Sequence, residues 1–159
     1  MIQNKELQKQ SLKILELINE AEKRYEEDEE FQSHFAKYIC ILCSGFMENA
    51  VELIYSDFIK RITTSEELIL FIESNLQKIL NPNSEKLKNI VETFNKSWKK
   101  DLNDFLQIDE KSAALNYIIK QRHKIAHGED SLVTLGKIRD YHLKTVEIIE
   151  FLENQCNTI

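Results

Sequence analysis

Glycine, proline and cysteine are scarce in this chain of 159 residues, which carries three, one and three of them. With so few turn-forming residues, and with apolar residues recurring at helical rather than alternating spacing, the chain is predicted to be all-α. Cys40, Cys43 and Cys156 form an odd set, two of them one helical turn apart. That pattern makes no disulfide framework and suits a reduced, cytoplasmic protein. Long apolar runs are missing too, none approaching the roughly 18 residues of a membrane span, and Met1 to Gln10 are polar and charged. Neither a signal peptide nor a membrane span is expected. Excess positive charge is also absent. A formal net charge of −6 excludes a protein that coats nucleic acid by bulk electrostatics, so any polynucleotide must be held by a local basic patch. There is no Gly-rich phosphate loop, no His-Glu-x-x-His, no nucleophile elbow and no cluster with metal-ligand spacing, so neither cofactor nor metal is expected.

What is present is a succession of helical stripes without repeat, linker or low-complexity tract, which predicts one domain over residues 1–159 and a helical bundle. Leu7, Ile14, Leu15, Ile18, Ala21 and Tyr25 form the first stripe, closed by the acidic run Glu26 to Glu30, where a turn and a new helix start are expected. Phe35, Ile39, Leu42, Phe46, Ala50, Leu53, Ile54 and Phe58 mark a long second helix ending near Ile62. Thr64-Ser65-Glu66-Glu67 has the capping-box arrangement and predicts a short helix from Glu66 to Leu80. Asn81-Pro82-Asn83-Ser84 breaks it, with Ser84 placed to cap the next stripe, Leu87 to Phe105. Asp109 is expected to cap a helix from Glu110 that Gly128 ends, and a last helix runs from about Leu135 to Glu153.

The densest chemistry lies at Gln121-Arg122-His123-Lys124-Ile125-Ala126-His127-Gly128. From Ala113 to Gly128 there is no Asp or Glu, while Lys120, Arg122 and Lys124 add three positive charges beside two imidazoles. Arg offers a fixed fork of donors for phosphate oxygens, and His gives and takes protons near neutrality, so the stretch points to a phosphate-bearing ligand and to phosphodiester chemistry. Arg122 and His127 stand about 140° apart around a regular helix and do not share a face. A helix that stops at Gly128 gives His127 room to turn towards the arginine, at a terminus that favours positive charge.

Arg122-x4-His127 followed by Gly128 resembles the Arg-x4-6-His motif of HEPN domains (higher eukaryotes and prokaryotes nucleotide-binding). Ser44-Gly45-Phe46-Met47-Glu48-Asn49 on a long early helix, and Val133-Thr134-Leu135 leading into a helix with Tyr141, are most similar to the RiboL-PSP-HEPN branch. The resemblance runs from about Cys40 to the C-terminus and implies a four-helix core, with Thr64 to Leu106 the more divergent part. It further implies a metal-independent endoribonuclease, often a toxin or a component of prokaryotic defence, that cuts RNA by attack of the 2′-OH on the adjacent phosphate. Such proteins work as homodimers with both motifs facing one cleft, and an antitoxin or a nucleotidyltransferase is a possible partner. His127 would then be the main acid or base, Arg122 the group that stabilises charge on the phosphoryl oxygens, and Glu48 the carboxylate that orients Arg122 or an imidazole. Lys120 and Lys124 would bind substrate, and His123, where the family most often has Asn, would assist. Many members bind without cutting, so a non-catalytic module that holds nucleotide, RNA or protein is the competing expectation.

Other features have ordinary readings. Glu52, one turn beyond Glu48, competes for the same role. Gly45 inside a helix suggests close approach to its backbone, for instance by a partner helix, or else is merely tolerated. Lys96-Ser97-Trp98-Lys99-Lys100 offers a stacking platform for single-stranded RNA, but Trp98 as core and the lysines as a solvated face is the favoured reading. Cys40 and Cys43 are expected to be small core residues, and His34 and His142 surface or boundary residues.

Overall fold

A computed structural model describes residues 1–24 and 28–158, and among these it contains seven α-helices and no strand. The helices are α1 (Lys5–Arg24), α2 (Glu29–Ile62), α3 (Glu66–Leu76), α4 (Ser84–Phe94), α5 (Lys96–Leu106), α6 (Lys111–Ala126) and α7 (Leu135–Asn157). Tyr25, Glu26 and Glu27, which the sequence assigned to the first stripe and the first turn, lie outside the described residues. α2 runs through the centre and packs against α1, α3, α6 and α7, while α1 and α6 also pack on α7. Ile39, Met47, Leu115, Ile118, Ile138 and Ile148 are all fully buried among α1, α2, α6 and α7, and Tyr55 is fully buried against Phe94 at the end of α4. α4 and α5 pair with each other and lean on α6 and α7. α3 touches α2 alone, so Leu70 and Phe71 stay exposed and an apolar groove of about 970 Å³ opens between α3 and α4.

α2 has the length and composition of a membrane-crossing helix, contrary to the expectation that nothing in the chain comes close. Its apolar window is mostly buried by its helical neighbours, which is the signature of a central helix hydrophobic all round. Asp28 caps it, accepting from Phe31 N at 2.9 Å.

Several helix boundaries differ from those read in the sequence, for local reasons. The cap of α3 is Ser65, whose hydroxyl accepts from Leu68 N at 3.3 Å, and not Thr64; the helix ends at Leu76, four residues early, where Ile79 N turns back to Leu76 O. α4 is capped by Asn83, which accepts from Lys86 N at 2.9 Å, and Ser84 is its first helical residue. The stripe from Leu87 to Phe105 is two helices. Asn95 donates its own N–H to Val91 O, ending α4, and accepts from Ser97 N at 2.9 Å, starting α5; an Asn side chain competing for backbone donors interrupts a helix in this way. Asp109 does not cap α6. It and Glu110 both take left-handed backbone angles, φ 54° and 57°, and the helix begins at Lys111 without a side-chain cap. Buried Lys111 anchors that start through Glu147, 2.8 Å away.

His142 is the largest departure, being fully buried rather than at the surface. Its Nε2 lies 3.2 Å from Ser11 Oγ, its Nδ1 3.7 Å from Cys43 Sγ, and its ring 5.4 Å from that of Phe46. Burial pushes its pKa down to about 4, against a weaker opposing bond to the Ser11 backbone. The same burial raises the thiols of Cys40 and Cys156 to about 12, so the three free cysteines are inert small core residues. Trp98 is buried, as expected, and packs on Phe58.

Candidate functional site

α6 ends in a Schellman motif. Gly128, at φ +69°, donates to Ile125 O at 3.2 Å, and Glu129 N donates to Lys124 O at 2.9 Å. His127 occupies the C-cap, its N–H shared between His123 O and Lys124 O. The chain beyond is clasped back onto α6, because Ser131 donates to the buried Gln121 Oε1 at 3.0 Å and the Tyr117 hydroxyl donates to Leu132 O at 2.8 Å. Tyr117 meets Tyr141 edge-on, and Lys137 lies 4.5 Å over its ring. The loop that presents His127 is therefore fastened at both ends, by the Schellman bonds and by the clasp.

The imidazoles of His123 and His127, one turn apart, come together with ring centroids 4.3 Å apart, and both residues are exposed. They stand at the negative pole of α6 and, among the described residues, no carboxylate is ion-paired to either. Arg122 is half-buried on a different flank, its backbone N–H beside the Cys40 thiol of α2. Among the described residues no ion pair or hydrogen bond holds its guanidinium. Within one chain, then, His127 pairs with His123 and does not turn to Arg122.

Glu48 is committed elsewhere. Its Oε1 accepts from Asn81 N at 2.5 Å, and Ser44, one turn before it, donates to Asn81 Oδ1. These bonds hold Asn81 at φ 50°, a left-handed angle that costs a non-glycine residue energy, and so fix the path of the Asn81-Pro82-Asn83-Ser84 segment. Glu52 is half-buried with no ion pair among the described residues. Between the Asn81–Ser84 segment and α6 lies a cleft of about 490 Å³ that Lys120, His123 and Lys124 line together with Asn116. The expected cluster is thus split: Lys120, His123 and Lys124 face the cleft, His127 joins through its contact with His123, and Arg122 lies off to one side.

The asparagines were read in the sequence only as helix breakers or not at all. Asn116 was detectable, since it lies four residues before Lys120 and seven before His123 on one helical face. The segment around Asn81 was not, because its approach to α6 is made by tertiary contacts of α2. Gly45, read either as a site of close approach or as merely tolerated, is exposed, and a Cβ placed on it would meet nothing of its own chain within 4 Å. No metal-binding group of His, Cys, Asp or Glu occurs among the described residues.

No curated protein and no solved structure matches the chain. A family model described as RiboL-PSP-HEPN matches residues 5–158, which extends the likeness beyond the Cys40-to-C-terminus span to α1 and runs through the α3–α5 segment expected to be more divergent. All-α architecture, the Arg122-x4-His127 string at a helix end and this near-complete match together make the chain a member of the RiboL-PSP-HEPN family of HEPN domains.

Proposed function

We propose that this protein is a metal-independent endoribonuclease whose site is the C-terminal end of α6. The observation that carries the reading is the exposed His123–His127 pair at 4.3 Å, set among Lys120, Arg122 and Lys124 in a stretch without a carboxylate. Attack by a ribose 2′-OH on the adjacent phosphorus needs a base to take the hydroxyl proton, an acid to give one to the departing 5′-oxygen, and positive charge on the phosphoryl oxygens. His127 and His123 fill the two proton roles. Arg122 carries the charge stabilisation, Lys120 and Lys124 hold the backbone phosphates, and Glu48 positions the opposite wall of the cleft through Asn81. The bond from phosphorus to the 5′-oxygen breaks as the bond to the 2′-oxygen forms, leaving a 2′,3′-cyclic phosphate and a 5′-hydroxyl.

Because Arg122 and His127 do not meet in one chain, a homodimer that brings the arginine of one copy to the imidazoles of the other completes the site. An exposed strip on α2, Tyr38, Ile41 and Gly45, lies within a turn or two of Cys40, where α2 meets α6, and gives such a dimer a face to pack on. A toxin or defence role, with an antitoxin or nucleotidyltransferase neighbour, fits an RNA-cutting activity in the cytoplasm. The test is end-labelled RNA digested with and without EDTA, alongside a substrate with one 2′-deoxy nucleotide before the scissile bond. Cutting should persist in chelator and stop at the deoxy position; the opposite of either result removes the mechanism. The same separation of Arg122 from His127 also favours a second reading, a binding module that holds RNA uncut. In that case the wild type retains RNA without products and His127→Ala matches it in every assay.

A further inference from the structure

The cleft beside the histidine pair has a donor pattern that the cleavage chemistry does not need. Asn116 Oδ1 accepts from Ser84 N at 2.9 Å, and Asn83 Oδ1 accepts from Lys86 N at 2.9 Å. Both partners are backbone N–H groups, which only donate, so each carboxamide is fixed with its oxygen on the α4 backbone. The two NH2 groups are left without a partner among the described residues, and both side chains line the cleft. Lys120 and Lys124 line it too and enter no ion pair there. Two carboxylates also belong to the lining. Glu85 is engaged by Lys88 at 2.8 Å, whereas Glu129, in the loop that the Schellman motif sets, has no ion pair among the described residues. Half-buried Ile119 supplies an apolar surface between the polar groups. The volume, about 490 Å³, falls within the range of small-ligand sites.

A ligand that satisfies this lining is flat, carries a carbonyl and a second acceptor for the two NH2 groups, presents an N–H to a carboxylate, and is joined to phosphate. Uracil and guanine have a carbonyl next to an imino N–H. Cytosine and adenine carry an exocyclic amine in place of that carbonyl, which would set donor against donor and leave Glu129 without the imino proton. We propose that the cleft is a base subsite for a keto nucleobase, uracil or guanine, of the RNA strand held at the end of α6. Uracil O2 and O4, or guanine O6 and N7, accept from the amides of Asn83 and Asn116, the imino N–H donates to Glu129, and the flanking phosphate takes Lys120 and Lys124. This subsite rests on the reading of the α6 end as an RNA site and gives that site a sequence preference.

The test titrates 15N-labelled protein with 3′-UMP, 3′-GMP, 3′-CMP and 3′-AMP and follows the side-chain NH2 resonances of Asn83 and Asn116. The keto nucleotides should bind about tenfold more tightly, in line with one well-paired base edge, and should move those two resonances. Asn116→Asp and Asn83→Asp each keep the oxygen that the α4 backbone uses and remove the NH2, so each should cut the keto preference to within about twofold while circular dichroism stays unchanged. Four equal affinities in the wild type, or a preference that survives both substitutions, would overturn the subsite while leaving RNA cleavage standing. Failure of all four nucleotides to bind would overturn the RNA reading along with it.

Discussion

His142 and His127 are the same side chain in opposite surroundings, and the regions around them differ in what they do for the protein. His142 sits on the buried face of α7, wedged among Ser11, Cys43 and Phe46, where burial keeps it neutral down to a pKa of about 4. His127 sits at the C-cap of α6, exposed, its ring against that of His123 and, among the described residues, with no carboxylate ion-paired to it. A histidine that serves packing is silenced by desolvation, and one proposed to move protons lies open to solvent. The pair shows that solvent exposure and cationic neighbours, more than residue identity, separate a structural histidine from a candidate catalytic one.

Exchanging roles between the two should have unequal effects. His127→Ala is expected to lower RNA cleavage by about 100-fold or more, the usual range for a lost proton carrier, while thermal melting and much of the RNA affinity persist. Arg122→Ala should lower both cleavage and affinity, since it removes charge from the phosphate as well as from the transition state. If His142→Gln reduces cleavage as strongly as His127→Ala without loss of stability, the division between the two regions is wrong.

The reverse side of the comparison is read in acid. The folded chain holds His142 neutral to about pH 4, whereas an unfolded chain protonates it near 6.5. Between those values the unfolded state binds a proton that the folded state refuses, so stability is complete above about pH 6.5 and falls as pH drops towards 4, by roughly 3 kcal/mol. Urea melts at pH 7, 5.5 and 4.5 should show the decline. His142→Gln should be less stable at pH 7 by about 1–3 kcal/mol, from imperfectly replaced buried hydrogen bonds, and should lose this histidine's share of the slope. An unchanged slope would mean that other groups carry it.

Smaller effects sharpen the contrast at the surface. A Cβ at position 45 meets nothing within 4 Å and the position is exposed, so Gly45→Arg exchanges a poor helix former for a good one and the isolated fold should gain up to about 1 kcal/mol. If the strip of Tyr38, Ile41 and Gly45 packs against a second copy, the same change should turn a dimer into a monomer in light scattering and reduce cleavage with it; a dimer that tolerates the arginine must pack elsewhere. Gly128→Ala is also free of steric conflict, but φ +69° should cost it about 1 kcal/mol. Cleavage should fall severalfold as His127 shifts, with the acid sensitivity due to His142 unchanged.

Much of the fold was legible because Gly and Pro are so few that helical stripes run uninterrupted, and the stop at Gly128 was legible because a left-handed cap needs glycine. Asn95 and Asp109 escaped because one hides a break inside a continuous stripe, made by its own side chain on the Ser97 amide, and the other looks like a cap but takes a left-handed backbone. His142 escaped through its polarity, although it falls in register with Ile138, Thr145 and Ile149 on the buried stripe of α7. At the site, the cationic end of α6 could be read from local composition. The partner of Glu48 could not, since Asn81 lies 33 residues away and reaches it only in the assembled bundle.

The Schellman bond from Glu129 N to Lys124 O also makes the loop its own reporter. That amide is protected from hydrogen exchange only while the last turn of α6 is closed, and its exchange rate counts the openings that would carry His127 away from His123. The protection factor of one backbone proton therefore measures, without substrate, how much of the time the turn that holds the two imidazoles together is closed. A slow exchanger there would indicate a pair preorganised before RNA arrives, and a fast one a pair that assembles on contact.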